Sequence, residues 1–196
     1  MTQKHVLNLS RMQIGKLSEN SLWLALEKKK ASTPWLKKVL FESKDRKILY
    51  LAIEHFVRKA KNGDVRAKLF LNRLALERFN KNDLLRDCVL LKLEENTQMG
   101  DRFALRALLV GVRDSVPYNR AMALTGLKNL AARNEKRVLP GLIFGLKDTN
   151  LDNRRYALSG LEFLAEEKNE DAIKVLKKLA SEGNKRAKDI LERLRE

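Results

Sequence analysis

The chain repeats itself at a fixed interval. Gly111-Val112-Arg113-Asp114 returns 34 residues later as Gly145-Leu146-Lys147-Asp148, and Asn119-Arg120 returns as Asn153-Arg154. Ala123, Leu124, Gly126, Leu127, Leu130 and Ala131 return as Ala157, Leu158, Gly160, Leu161, Leu164 and Ala165. A period of this length filled with helix-forming residues constrains the fold strongly, because each helical pair must bury its apolar face against its neighbours. The period predicts an all-α fold, specifically an α-solenoid of antiparallel helix pairs.

Apolar residues at i, i+3, i+4 and i+7 mark the helices. Leu105, Leu108, Leu109 and Val112 form one stripe, Leu139, Leu142, Ile143 and Leu146 the next, and Ala172, Val175, Leu176 and Leu179 a third. Leu71 and Leu74 precede Leu105 and Leu108 by the same period. Caps and breakers set the boundaries. Thr33-Pro34 reads as an N-cap followed by proline at the first helical position, Asn62-Gly63 as a helix stop, and Gly100-Asp101, Pro117, Asn134, Asp152, Asn169 and Gly183-Asn184 as further punctuation. Helices are expected near 20–30, 34–43, 46–61, 64–79, 83–97, 101–113, 117–133, 136–147, 152–167, 170–182 and 185–195, with no strand. Short links make successive helices antiparallel neighbours. The organisation expected is a basic N-terminal helical cap over 1–45 and a repeat array over 46–196, with the best repeats at 105–182 and a lone terminal helix at 185–195.

These residues resemble HEAT repeats, particularly their short bacterial and archaeal form. Asp114 with Arg120, and Asp148 with Arg154, match the family's turn aspartate and the arginine six residues later, and both lead into Ala, Leu and Gly-Leu positions. Val138-Leu139-Pro140-Gly141-Leu142 looks like the start of the family's second helix. The resemblance implies a right-handed α-solenoid of HEAT-like helix pairs in which Asp114, Arg120, Asp148 and Arg154 are structural, forming a ladder through the stack. Arg86 stands one period before Arg120, but Asn80 replaces the aspartate, so the repeat around 80–97 is degenerate. The segments beginning Gly63-Asp64 and Gly183-Asn184 echo each other in a way that would also suit a tetratricopeptide-type or Sel1-type solenoid, whose longer aromatic and small-residue signature is absent.

Charge is the main pointer to function. Forty-one Lys and Arg against twenty-five Asp and Glu give a net charge of +16, and residues 1–62 alone carry fourteen basic and five acidic side chains. Such an excess suits a polyanionic partner: an acidic protein, a nucleic acid or an anionic surface. Cys88 is the only cysteine, set in an apolar run, so a disulfide framework and a thiolate metal cluster are excluded. No window is apolar enough for a membrane span and the N-terminus makes a poor signal peptide, so a cytoplasmic protein is expected.

Two basic groups are candidates for binding. In a solenoid the second helices line the concave surface. On them Arg66, Arg73, Arg102, Arg106, Arg113, Lys136, Lys147, Lys174 and Lys178 fall on exposed faces. An N-terminal cluster comprises Lys28, Lys29, Lys30, Lys37, Lys38, Lys44, Arg46 and Lys47, near Trp23 and Trp35. Both tryptophans sit on apolar patterns that suit burial better than base stacking. Catalytic motifs are missing: His5 and His55 are the only histidines, and the chain has no phosphate loop and no nucleophile elbow. HEAT-like DNA glycosylases are similar in plan, size and charge, but they depend on a groove aspartate beside aromatics. Both tryptophans here precede position 36, and no residue carries that role over. The expectation is a non-catalytic scaffold or adaptor, without cofactor or metal, that docks an acidic protein. The alternative is a nucleic-acid binder using the same basic groove, including a HEAT-like alkylation-repair DNA glycosylase.

Overall fold

The structure, a computed structural model, describes residues 18, 20, 33–75, 82–96 and 102–195. Among these every regular element is helical, so the chain is all-α. The helices are α1 (Thr33–Glu42), α2 (Arg46–Lys61), α3 (Val65–Ala75), α4 (Asp83–Asn96), α5 (Arg102–Gly111), α6 (Pro117–Ala131), α7 (Leu139–Gly145), α8 (Leu151–Glu166), α9 (Glu170–Ser181) and α10 (Lys185–Arg193). A 3₁₀ turn, Lys136–Val138, precedes α7. The helix expected near 20–30, with Lys28, Lys29, Lys30 and Trp23, lies outside the described residues. The helices divide between two compact units, Met1–Lys92 and Leu93–Glu196.

In the first unit α2 packs against both α1 and α3. Its stripe Ile48, Leu49, Ala52, Ile53, Phe56, Val57 and Ala60 is buried with Trp35, Leu36, Val39 and Leu40 of α1, so Trp35 is a core residue. Each large apolar side chain removed from water there contributes about 1.5–3 kcal/mol. Asp45 starts α2 by accepting the Lys47 and Ile48 amides at 2.8 and 3.3 Å. Gly63 ends it at φ +88°, a left-handed conformation that glycine adopts without a Cβ clash. Two ion pairs tie α4 to α2: Arg46 to Asp87 at 2.7 Å and Lys92 to Glu54 at 3.4 Å.

The second unit is built from the sequence repeat. Helices α5, α7 and α9 occupy equivalent positions one period apart, and so do α6, α8 and α10. Helix α6 packs extensively on α8, while α7 contacts α5, α6 and α8. The repeated glycines serve close approach. A Cβ on Gly160 would lie 2.6 Å from Leu142 Cδ2, and one on Gly145 would collide with Leu124 and stand 3.0 Å from the Ala157 Cβ. Small residues thus recur where the two rows of helices meet. Asn134 and Lys168, also one period apart, share a left-handed φ of 60° and 58° at their helix ends.

One helix differs from expectation. The predicted helix at 136–147 is a 3₁₀ turn followed by α7. Pro140 has no N–H to give to the Lys136 carbonyl, so the preceding amide of Leu139 takes that carbonyl in the tighter pattern. Ile143, assigned above to a buried stripe, is 36 % exposed.

Polar bonds join the repeats. Arg120 Nε and Nη2 donate to the two oxygens of Asp148 at 2.7 and 3.0 Å, and its Nη1 donates to the carbonyls of Asp114 and Ser115 at 2.9 and 3.2 Å. Arg154 repeats the second half of this arrangement, with Nη1 donating to the carbonyls of Asp148 and Thr149 at 2.7 and 3.0 Å. Asn153 Nδ2 donates to Asp148 and to the Pro117 carbonyl at 3.1 and 3.2 Å. Asn119 Nδ2 donates to Asp114, itself buried, at 3.3 Å.

Burial raises the Asp148 pKa, but the Arg120 bond, the Asn150 amide and Asn153 outweigh it and bring the carboxyl from 3.8 down to about 2. A carboxylate depressed in the folded state contributes its full stability above its unfolded pKa and loses it as pH falls through the folded one. Denaturant titrations from about pH 5 down to about pH 2 should therefore show native protein losing about 2 kcal/mol more stability than Asp148→Asn. Equal slopes in the two proteins would remove this role. Gly160→Ala should lower stability by about 1–3 kcal/mol, because the Leu142 methyls must shift within a packed core. An unchanged melting temperature would show that the contact relaxes freely.

Candidate functional site

Helices α5 and α7 lie side by side, and each turns one face inward and one to solvent. Helix α5 buries Ala104, Leu105, Ala107 and Leu108 and exposes Arg102, Arg106 and Val110, with Arg113 exposed just beyond its end. Helix α7 buries Gly141, Leu142 and Gly145 and exposes Pro140, Ile143 and Phe144, with Lys136 and Lys147 exposed on either side. The pattern follows from helix geometry: exposed residues recur three to four apart because the opposite arc packs on α6 and α8. The two faces join through the Arg113 guanidinium, which lies 4.4 Å from the centre of the Phe144 ring. A cation over an aromatic face is attracted by the ring quadrupole.

Among its described residues this face carries no carboxylate. Neither residues 102–113 nor 136–147 include an Asp or Glu. Three acids next to these segments are engaged elsewhere: Asp114 and Asp148 in the inter-repeat bonds, and Glu135 in a two-pronged bond from Arg137 at 2.8 and 2.5 Å. The cations Arg102, Arg106, Arg113, Lys136 and Lys147 therefore present an unneutralised surface around Val110, Ile143 and Phe144, which are 40 %, 36 % and 40 % exposed. Sequence reasoning placed the cations but assigned Ile143 to the core and passed over Val110 and Phe144. The signal was available in the register, since Val110 and Phe144 are one period apart and each follows an exposed position by four residues.

The other candidate cations have different surroundings. Lys174 and Lys178 of α9 are exposed, but Lys174 pairs with Asp171 at 3.1 Å and Lys178 stands 3.9 Å from Glu182. Arg66 and Arg73 are exposed on α3 in the first unit. Of the N-terminal group, Lys37, Lys38, Lys44, Arg46 and Lys47 are exposed around α1 and the start of α2. Arg46 is committed to Asp87, and the Lys37 ammonium sits 4.7 Å from the Phe70 ring centre. The fold brings Lys37 together with Arg66 around a cavity between α1, α2 and α3, joined there by Lys59.

Among the described residues no group of three His, Cys, Asp or Glu side chains is placed to hold a metal ion, and no helix is long and apolar enough to cross a membrane. His55 is pushed to a lower pKa by burial first, then by Lys59 and Arg58, and its ring stands edge-on to Phe56. No family model matches the sequence, and no curated protein matches it.

Cys88 is fully buried, and burial followed by the Asp87 charge pushes its thiol up to about 11, with Arg46 opposing. Since the thiolate is the reactive form, native protein at about pH 8 should not react with a disulfide reagent until denaturant is added. Reaction of the native thiol at the denatured rate would contradict this placement.

Proposed function

We propose that the chain is a non-catalytic docking module whose second unit is a HEAT-like α-solenoid, and that it holds an acidic protein segment on the α5–α7 face. The observation that carries this reading is the coincidence, on one face with no carboxylate among its described residues, of five cations with three exposed apolar side chains. The 34-residue recurrence, the alternation of α5, α7 and α9 with α6, α8 and α10, and the Arg120–Asp148 bond between repeats support the architecture.

The chemistry divides the work. Cations on a preformed surface accelerate encounter with an acidic partner and set its orientation. Apolar contact then supplies affinity that salt does not screen, and it is usually concentrated in a few anchors. Phe144, flanked by Val110 and Ile143, is the anchor here. A phosphodiester backbone would use the cations and leave these side chains without apolar partners, so an acidic segment with apolar residues fits the face better than duplex DNA.

A fluorescently labelled peptide of alternating glutamate and leucine, compared with labelled duplex DNA at about 50 and about 200 mM salt, separates the two. The peptide should keep most of its affinity at the higher salt, and Phe144→Ala should weaken it about tenfold, near 1.4 kcal/mol. DNA binding, where present, should fall steeply. Tighter binding of DNA than of peptide at the higher salt would favour a nucleic-acid partner, and equal affinities of native protein and Phe144→Ala would remove Phe144 as the anchor.

A further inference from the structure

We propose that the cavity between α1, α2 and α3 binds a small phosphate monoester whose body is apolar and planar, of mononucleotide size. The proposal concerns the first unit and is independent of the α5–α7 face.

Three helices each deliver one cation to this cavity: Lys37 from α1, Lys59 from α2 and Arg66 from α3. They are far apart in sequence, so the convergence is a product of folding. Among the described residues none of the three pairs with a carboxylate. Elsewhere in the same unit the cations Arg46 and Lys92 do have acidic partners, Asp87 and Glu54. Lys59 gives one hydrogen bond to Thr33 Oγ1 at 3.2 Å and has two further N–H donors. Arg66 is exposed and makes no hydrogen bond or ion pair among the described residues. Among the described residues the single carboxylate lining the cavity, Asp64, accepts the Ala67 amide at 3.0 Å and so serves the start of α3.

Among the described residues, three cations against one carboxylate leave a surplus of two, which matches a phosphate monoester near neutral pH. Such a surplus repels itself while the cavity is empty, and an anion relieves the repulsion through charge-assisted bonds. The lining is partly aromatic. Phe56 and Phe70 stand 4.7 Å apart at 52° and both border the space, with the Lys37 ammonium 4.7 Å from the Phe70 ring centre, so a flat body attached to the phosphate would meet Phe70 beside the cations. The volume, about 320 Å³, falls near the lower end of the ~300–1,000 Å³ typical of small-ligand sites. That limits the occupant to about one nucleotide.

Isothermal calorimetry of the full chain with AMP and with adenosine, at about 50 mM salt, tests the site. AMP should bind and adenosine should not. Arg66→Gln should weaken AMP binding at least about tenfold without changing the melting temperature, because Arg66 is exposed and bonded to nothing described. Arg106→Gln, on the α5–α7 face, should bind AMP as native protein does. Absence of AMP binding to native protein, adenosine binding as tight as AMP, an unchanged affinity in Arg66→Gln, or an equal loss in Arg106→Gln would each overturn the proposal. None of these outcomes bears on peptide docking at Phe144, so the two sites stand or fall separately.

Discussion

The second unit depends on one carboxylate. Asp148 sits in the turn between α7 and α8, its side chain 3 % exposed, and every lone pair it brings inside is used. Oδ1 accepts the Asn150 amide and one Arg120 nitrogen, and Oδ2 accepts the other Arg120 nitrogen and Asn153. A buried charge is tolerable only with such complete satisfaction, and removing one partner of a pair of this kind typically costs about 3–5 kcal/mol. What the bond adds beyond its energy is position. Arg120 also holds the carbonyls of Asp114 and Ser115, so a single guanidinium gathers two successive turns and fixes the offset between α6 and α8. The side-by-side placement of α5 and α7, and with it the cationic face, follows from that offset.

The basic surplus of this chain is not one pool. Arg46, Arg86, Lys92, Arg120 and Arg137 are committed to carboxylates inside the fold, and Lys174 and Lys178 are answered by acids on or beside their own helix. Among the described residues, Arg102, Arg106, Arg113, Lys136 and Lys147 along α5 and α7, and Lys37, Lys59 and Arg66 around the α1–α3 cavity, make no ion pair. Net charge alone points to a polyanion spread along a continuous stripe. The described cations instead include these two local groups, one along a pair of helices and one around a cavity.

Much of the helical architecture was readable because helix periodicity and caps are local properties. Asn62-Gly63, Pro117 and Asn169 mark ends that involve no distant residue. Reading failed where the answer lay in a neighbour. The break before α7 required weighing the missing amide of Pro140 against the good helical pattern around it. Ile143 has the right spacing for burial, but no described helix covers that arc of α7. Lys37 and Arg66 were assigned to separate basic groups because nothing in sequence distance reveals that α1 and α3 flank α2. Arg46 looked like a surface cation for the same reason, its partner Asp87 lying two helices away.

The contact between Arg113 and Phe144 has a further consequence for the protein in isolation. An exposed phenylalanine between two other apolar side chains is a natural seed for self-association, and here it carries its own cover. The guanidinium shades one face of the ring and places a positive charge over it, so two copies approaching through this patch meet repulsion before they meet apolar surface. A molecule that supplies a carboxylate offers Arg113 a stronger partner than the ring and so a way to the apolar surface beneath. On the docking role proposed above, the patch would be selective by exclusion: the same side chain that recruits an acidic visitor would keep the surface closed to its own kind.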